Sequence, residues 1–178
     1  MRKILRYSWM LLLLVPVMGN CKPVHYSFTT KWEIRAPLER VWEQIDQGED
    51  WHSWWNSVVG TKVLFQGNGD GTGKVMRYAW KSFLPFTLSI NFTVTKREMY
   101  KRIEGRSDGD LVGTGVWTFE ERNGITYVQY QWDVKSTKRI INLLSPVFKK
   151  FFVYNHNFIM HKGAKGLAKR LDAELLAG

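Results

Sequence analysis

From Val59 to Lys135 apolar residues recur at every second position, and clusters of turn-forming residues cut that pattern at short intervals. The clearest run is Phe86-x-Leu88-x-Ile90-x-Phe92-x-Val94, which places its apolar side chains on one face of an extended strand. Val59–Phe65, Lys74–Lys81, Tyr100–Arg106, Leu111–Glu120 and Thr126–Lys135 follow the same rule. Between them lie the glycine-dense turn 67–73, the break at Phe83-Leu84-Pro85, the turn Ser107-Asp108-Gly109-Asp110, and Arg122-Asn123-Gly124. Consecutive strands with short connections pair antiparallel, so this segment predicts an antiparallel sheet of about six strands.

The flanks differ. Val24–Arg35 predicts one more strand, with Tyr26, Phe28, Trp32 and Ile34 in alternating positions. Pro37 suits a helix start, and Leu38, Val41, Trp42 and Ile45 follow at helical spacing. A second short helix or turn is expected over Asp50–Trp55. After Lys135 the period is helical: Ile140, Ile141 and Leu144, then Pro146 as a new start or a kink, then Phe148, Phe151, Phe152, Asn155, Phe158 and Ile159. The helix is expected to continue to Leu171 and Leu175. The class is α+β: a curved antiparallel sheet of about seven strands wrapped around a long C-terminal α-helix, with two short helices after strand 1.

This order resembles the START-like superfamily, also called SRPBCC or polyketide cyclase-like, with its helix-grip fold. The carriers are Trp32-x-Ile34-x-Ala36-Pro37-x-Glu39-x-Val41-Trp42, Trp51-x-x-Trp54-Trp55, and Gly69-x-Gly71-x-Gly73. Further on come Gly109-Asp110-Leu111-x-Gly113-x-Gly115-x-Trp117-x-Phe119-Glu120, Thr126-x-Val128-x-Tyr130, and Gly163-x-x-Gly166-Leu167-x-x-x-Leu171. The resemblance covers nearly all of 24–176 and implies a cavity between sheet and helix, with Trp54 and Trp55 at its mouth. It does not single out a function, because the superfamily includes lipid carriers, ubiquinone-binding proteins and aromatase/cyclases.

The N-terminus adds an address. Arg2, Lys3 and Arg6 precede an apolar stretch from Trp9 to Met18, then Gly19-Asn20 and the single cysteine, Cys21. Basic, apolar, then small and polar is the layout of a secretory signal, and the apolar part falls short of the roughly 20 residues a membrane-spanning helix needs. Residues 1–20 are therefore expected to be a lipoprotein-like signal and 21–178 one domain. Cys21 is the candidate lipidated residue, although Asn20 is unusual before it; an uncleaved anchor or an unmodified cysteine are the alternatives. The expected location is the cell envelope, attached to its membrane.

Removing residues 1–20 takes three of the 26 basic residues and none of the 16 acidic ones, leaving a net charge of +7. Such a surface favours anionic partners, and export makes nucleic acid the least fitting of them. From Lys135 to Arg170 there are nine Lys and Arg and no Asp or Glu. That helix is either an ordinary solvated face or a contact with an anionic membrane.

Motifs for chemistry are sparse. Gly105-x-Ser107-x-Gly109 has nucleophile-elbow spacing but is followed by a strand instead of a helix, so a polar hairpin turn explains it better. The turn 67–73 lacks phosphate-loop spacing and a following helix, and Arg77 would stand where a calcium loop needs its last ligand. His25, His52, His156 and His161 show no metal-ligand spacing, so neither a metal nor a cofactor is expected.

The aromatic residues are the strongest functional candidates. Phe65, Phe92, Trp117, Phe119, Tyr130 and Trp132 are expected on the inner sheet face, with Phe151, Tyr154 and Phe158 on the helix opposite and Trp54 and Trp55 at the mouth. Arg77 and Tyr130 are the candidate polar anchors. The expected function is non-enzymatic binding or transport of a hydrophobic small molecule (lipid, quinone or polyketide-like ring) by a monomer. The alternatives are a cyclase/dehydratase-type enzyme, which needs an acid/base pair in the cavity, and a structural protein with a filled core.

Overall fold

The structure, a computed structural model, describes residues 23–178, except the side chains of residues 140 and 144–148. The expected signal and Cys21 lie outside the described residues, as do the side-chain assignments of Ile140, Leu144 and Phe148. In chain order the elements are β1 (His25–Arg35), α1 (Leu38–Asp46), α2 (Trp51–Trp54), β2 (Val58–Phe65), β3 (Val75–Trp80), β4 (Leu88–Glu98), β5 (Arg102–Gly109), β6 (Leu111–Arg122), β7 (Ile125–Ser136), α3 (Arg139–Leu171) and β8 (Glu174–Ala177). A 3-10 turn over Gly48–Asp50 joins the two short helices.

The strands form one sheet in the order β2-β3-β4-β5-β6-β7-β1-β8, every neighbour antiparallel. Register shifts at Val58/Gly60, Val63/Phe65 and Val94/Lys96 mark the irregularities that let such a sheet bend. The sheet curves around α3 in the helix-grip arrangement. The expectation of about seven strands is met by β1–β7.

The eighth strand is a correction. The helical period predicts α3 to Leu175, but the helix ends at Leu171 because Asp172 adopts a left-handed conformation (φ 50°). The chain then reverses, and Glu174 and Leu175 pair with Arg35 and Ile34 on the outer edge of β1. Arg40 Nη2 donates to the Leu171 carbonyl at 3.0 Å and satisfies one acceptor of that helix end.

The core has two parts. At the α1/α2 end, Trp32, Ile34, Val41, Trp42, Ile45, Trp55, Val128 and Leu167 are buried together. At the other end, Tyr26, Ile90, Leu111, Val134 and Ile141 form a smaller cluster. Asn142 anchors α3 there, donating to the Ser136 carbonyl at 3.0 Å and accepting the Val24 amide at 3.2 Å.

Candidate functional site

Between the sheet and α3 lies a cavity of about 110 Å³, counted as space open to the centre of a water molecule. The sheet contributes inward residues from most of its strands: Tyr26 and Phe28, Tyr78 and Trp80, Ile90 and Phe92, Trp117, and Tyr130, Trp132 and Val134. Phe152, Asn155, His156, Ile159 and Met160 come from α3, Trp51 and Trp55 from the α2 region, and Leu84 from the β3–β4 loop. This volume is smaller than the ~300–1,000 Å³ of drug-sized sites and close to that of cavities that take a single aromatic ring.

Ring stacking sets the walls. Trp117 and Tyr130 are directly paired on β6 and β7, and their rings stack with centroids 4.1 Å apart. Space for Tyr130 and the neighbouring Phe92 comes from Gly105 and Gly115, cross-strand partners on β5 and β6. A Cβ on Gly105 would overlap the Phe92 ring, and one on Gly115 would meet the Tyr130 hydroxyl and Phe92. The missing side chains make the hollow into which these rings lean.

Polar atoms in this lining are few. Tyr130 is half-buried and lines the cavity. Burial, and secondarily Tyr78, pushes its hydroxyl pKa upward, so it is neutral and a hydrogen-bond donor. Trp132 Nε1 and Ser107 Oγ are buried without a hydrogen-bond partner among the described residues. His156 stacks on Phe28 at 3.9 Å, with Nε2 3.4 Å from Thr30 Oγ1. Burial lowers its pKa to about 3, so the imidazole is neutral at ordinary pH.

A second hollow, about 260 Å³, opens beneath the β2–β3 hairpin. Asp46, Gln66, Asn68, Asp70, Lys74 and Arg97 give it a polar rim, and Arg97 is already held by a two-point fork to Asp46, both distances 2.8 Å. Trp51, Tyr78, Phe92 and Trp117 border both hollows and form the partition between them.

The candidate residues divide sharply. Trp55, Phe92, Trp117, Tyr130 and Trp132 line the cavity. Trp54 and Trp55 are both buried, so they do not form a mouth; Trp54 packs against Trp51 and Trp55 behind the wall. Phe119 is buried one step beyond Trp117, its ring 4.9 Å from Trp42 and outside the cavity lining. Phe65 stands exposed at the end of edge strand β2. Arg77 points outward, because Met76 and Tyr78 beside it point in; its Nε donates to Asn91 Oδ1 at 2.8 Å. Phe151 and Tyr154 are exposed, because the buried stripe of α3 runs through Asn155, His156 and Ile159; Phe158 flanks it, half-buried.

Sequence reasoning weighs His156 only as a metal ligand. The signal that could have found it is a polar pair, Asn155-His156, inside an apolar helical stripe. Ser107 also departs from expectation: it is a buried strand residue in β5, not part of a hairpin turn or an elbow. Among the described residues there is no group of three His, Cys, Asp or Glu able to hold a metal, and no helix long and apolar enough to cross a membrane.

Residues 25–172 match the family model described as polyketide cyclase / dehydrase and lipid transport, and the chain belongs to that family. Solved structures share its fold. One from Thermus thermophilus aligns with a TM-score of 0.68 at 18% identity, over 82% of this chain and 97% of that one. A START superfamily protein from Mycobacterium smegmatis aligns at 0.66 and 17%, over 84% and 98%. The di-domain ARO/CYC BexL from the BE-7585A biosynthetic pathway aligns at 0.62 and 18%, over 84% of this chain and 51% of that one, so this chain spans about half its length. No curated protein matches the chain in sequence.

Proposed function

We propose that the protein binds a hydrophobic small molecule in the cavity between the sheet and α3, and that it binds without catalysing a reaction. The supporting observation is a lining of aromatic and aliphatic side chains with few polar atoms. Burial of an apolar ring supplies the affinity, and Tyr130, Trp132 and Ser107 supply donors for an oxygen on the ligand. An unpaired buried donor costs about 1–3 kcal/mol, which a ligand oxygen would recover. A lipid, a quinone or a polyketide-like ring fits this chemistry, with any longer portion extending out of the hollow.

Catalysis by the cyclase/dehydratase route asks for a proton donor and acceptor that reach the same substrate. Among the described residues no carboxylate, lysine or arginine lines the cavity, and Tyr78, Tyr130 and His156 share no hydrogen bond with one another. This favours carriage or sensing over turnover. We place this binding at the cell envelope, on the strength of the N-terminal signal pattern and Cys21. Replacing Cys21 with Ser should release the protein from membranes; unchanged retention counts against a lipid tether.

The deciding experiment is organic extraction and native mass spectrometry of the purified full chain, followed by titration with quinones, fatty acids and aromatic polyketides. Trp51, Trp55, Trp80, Trp117 and Trp132 all line the cavity, so occupancy should quench tryptophan emission. A co-purifying apolar molecule or saturable quenching is expected. Neither appearing across the panel means the hollow is packing space.

A further inference from the structure

The β3–β4 loop divides its residues between two sides. Leu84 is 8% exposed and forms part of the cavity wall, while Phe83 next to it is 44% exposed and turns outward. Ser82 Oγ donates to Asn155 Oδ1 and pins the loop to α3. Phe83 therefore lies on the outer side of the helix, its ring 5.2 Å from Phe151, 5.9 Å from Tyr154 and 5.3 Å from Phe158. Tyr154 is 62% exposed and Phe151 41%. Clustered aromatic rings in water differ from the scattered apolar residues of an ordinary surface.

Lysines surround this cluster. Helical spacing puts Lys150, Lys162 and Lys165 on the side of α3 that carries Tyr154 and Phe158, and all three are exposed. Lys162 Nζ sits 4.5 Å from the Phe158 ring centroid. None of the three has an ion-pair partner among the described residues. No acidic residue falls between Asp133 and Asp172. Aromatic rings that reach the acyl boundary, ringed by cations that meet phosphate, are the composition of an interfacial membrane contact.

We infer that Phe83, Phe151, Tyr154 and Phe158, with Lys150, Lys162 and Lys165, form a docking face for an anionic bilayer, next to the Leu84 end of the cavity. This surface does not depend on Cys21 or on what fills the cavity. It would seat the loop and α3, the two elements that close that end of the hollow, against the membrane.

The test uses the full chain with Cys21→Ser and one new cysteine, Tyr154→Cys, carrying a nitroxide label. Phosphatidylcholine vesicles are compared with and without phosphatidylglycerol. With phosphatidylglycerol, the label should gain exposure to oxygen and lose exposure to a water-soluble nickel relaxant, whereas the same label at Thr114 on β6 should not change. Lys150→Glu/Lys162→Glu/Lys165→Glu should weaken vesicle binding by tenfold or more, since each basic residue near an anionic surface counts for about a tenfold factor or less, and should leave quenching by cavity ligands in solution unaltered. A label at 154 that stays open to nickel on these vesicles overturns the proposal. So does a label shielded from both relaxants without lipid, the signature of a protein partner or a second copy.

Discussion

The indole N–H of Trp55 donates to the backbone carbonyl of Ile159 at 2.9 Å, across 104 residues of sequence and inside the core. It ties the α2 region to α3 at the point where both border the cavity. The ring lies where Gly163 has no side chain.

Gly163→Ala should therefore destabilise the protein. Alanine ordinarily favours a helix over glycine by about 1 kcal/mol, but here its Cβ would overlap the Trp55 ring. Overpacking of this kind costs roughly 1–3 kcal/mol. Gly69→Ala, with open space around it, should be nearly silent. Thermal unfolding of the two variants checks the contrast; a Gly163→Ala protein as stable as its parent would show that Trp55 can shift.

His156 predicts a pH dependence. The unfolded chain takes up its proton at the ordinary pKa of 6.5, the folded chain only near 3. Stability present above pH 6.5 is thus lost as pH falls through that window, by at most about 1.4 kcal/mol per pH unit. His156→Gln should flatten the slope between pH 6.5 and 5, where few carboxylates titrate. Denaturant midpoints measured at several pH values decide, and identical slopes would place the imidazole in contact with water.

The Arg97–Asp46 fork joins β4 to the end of α1, with both side chains largely covered. Arg97→Lys keeps the charge but loses the two-point geometry and should cost about 1 kcal/mol. Arg122 makes a similar fork with Glu120 in the open, and Arg122→Lys should change stability by less than measurement error. Equal effects in chemical denaturation would mean that burial is not what distinguishes the two forks.

Tyr130→Phe separates stability from binding. The hydroxyl has no hydrogen-bond partner to lose among the described residues, so the folding midpoint should hold or rise, by no more than the roughly 1–3 kcal/mol that an unpaired buried donor costs. Affinity for a quinone should fall several-fold while affinity for a ring without oxygen holds, measured by tryptophan quenching. A loss equal for both ligands would assign Tyr130 to packing alone.

The strands are legible in the sequence because alternation is a local property: Phe86 to Val94 states its own geometry, and β4 runs from Leu88 to Glu98. β8 is not, because Glu174–Ala177 has no period of its own and becomes a strand only through the left-handed turn at Asp172 and the free edge of β1. The site follows the same division. Trp117 and Tyr130 can be placed by strand parity, which allows only two faces. Phe151, Tyr154 and Phe158 cannot, since a helix turns 100° per residue and a small error in phase exchanges the buried stripe for the exposed one. Arg77 is expected inward for its chemistry against its parity, and parity prevails.

The four rings shared by the two hollows give the interior a property that neither has alone. Trp51, Tyr78, Phe92 and Trp117 are a common wall, apolar on one side and polar-rimmed on the other. A substitution in any one of the four therefore reshapes both hollows at once, and no variant among them can be assigned to one hollow alone.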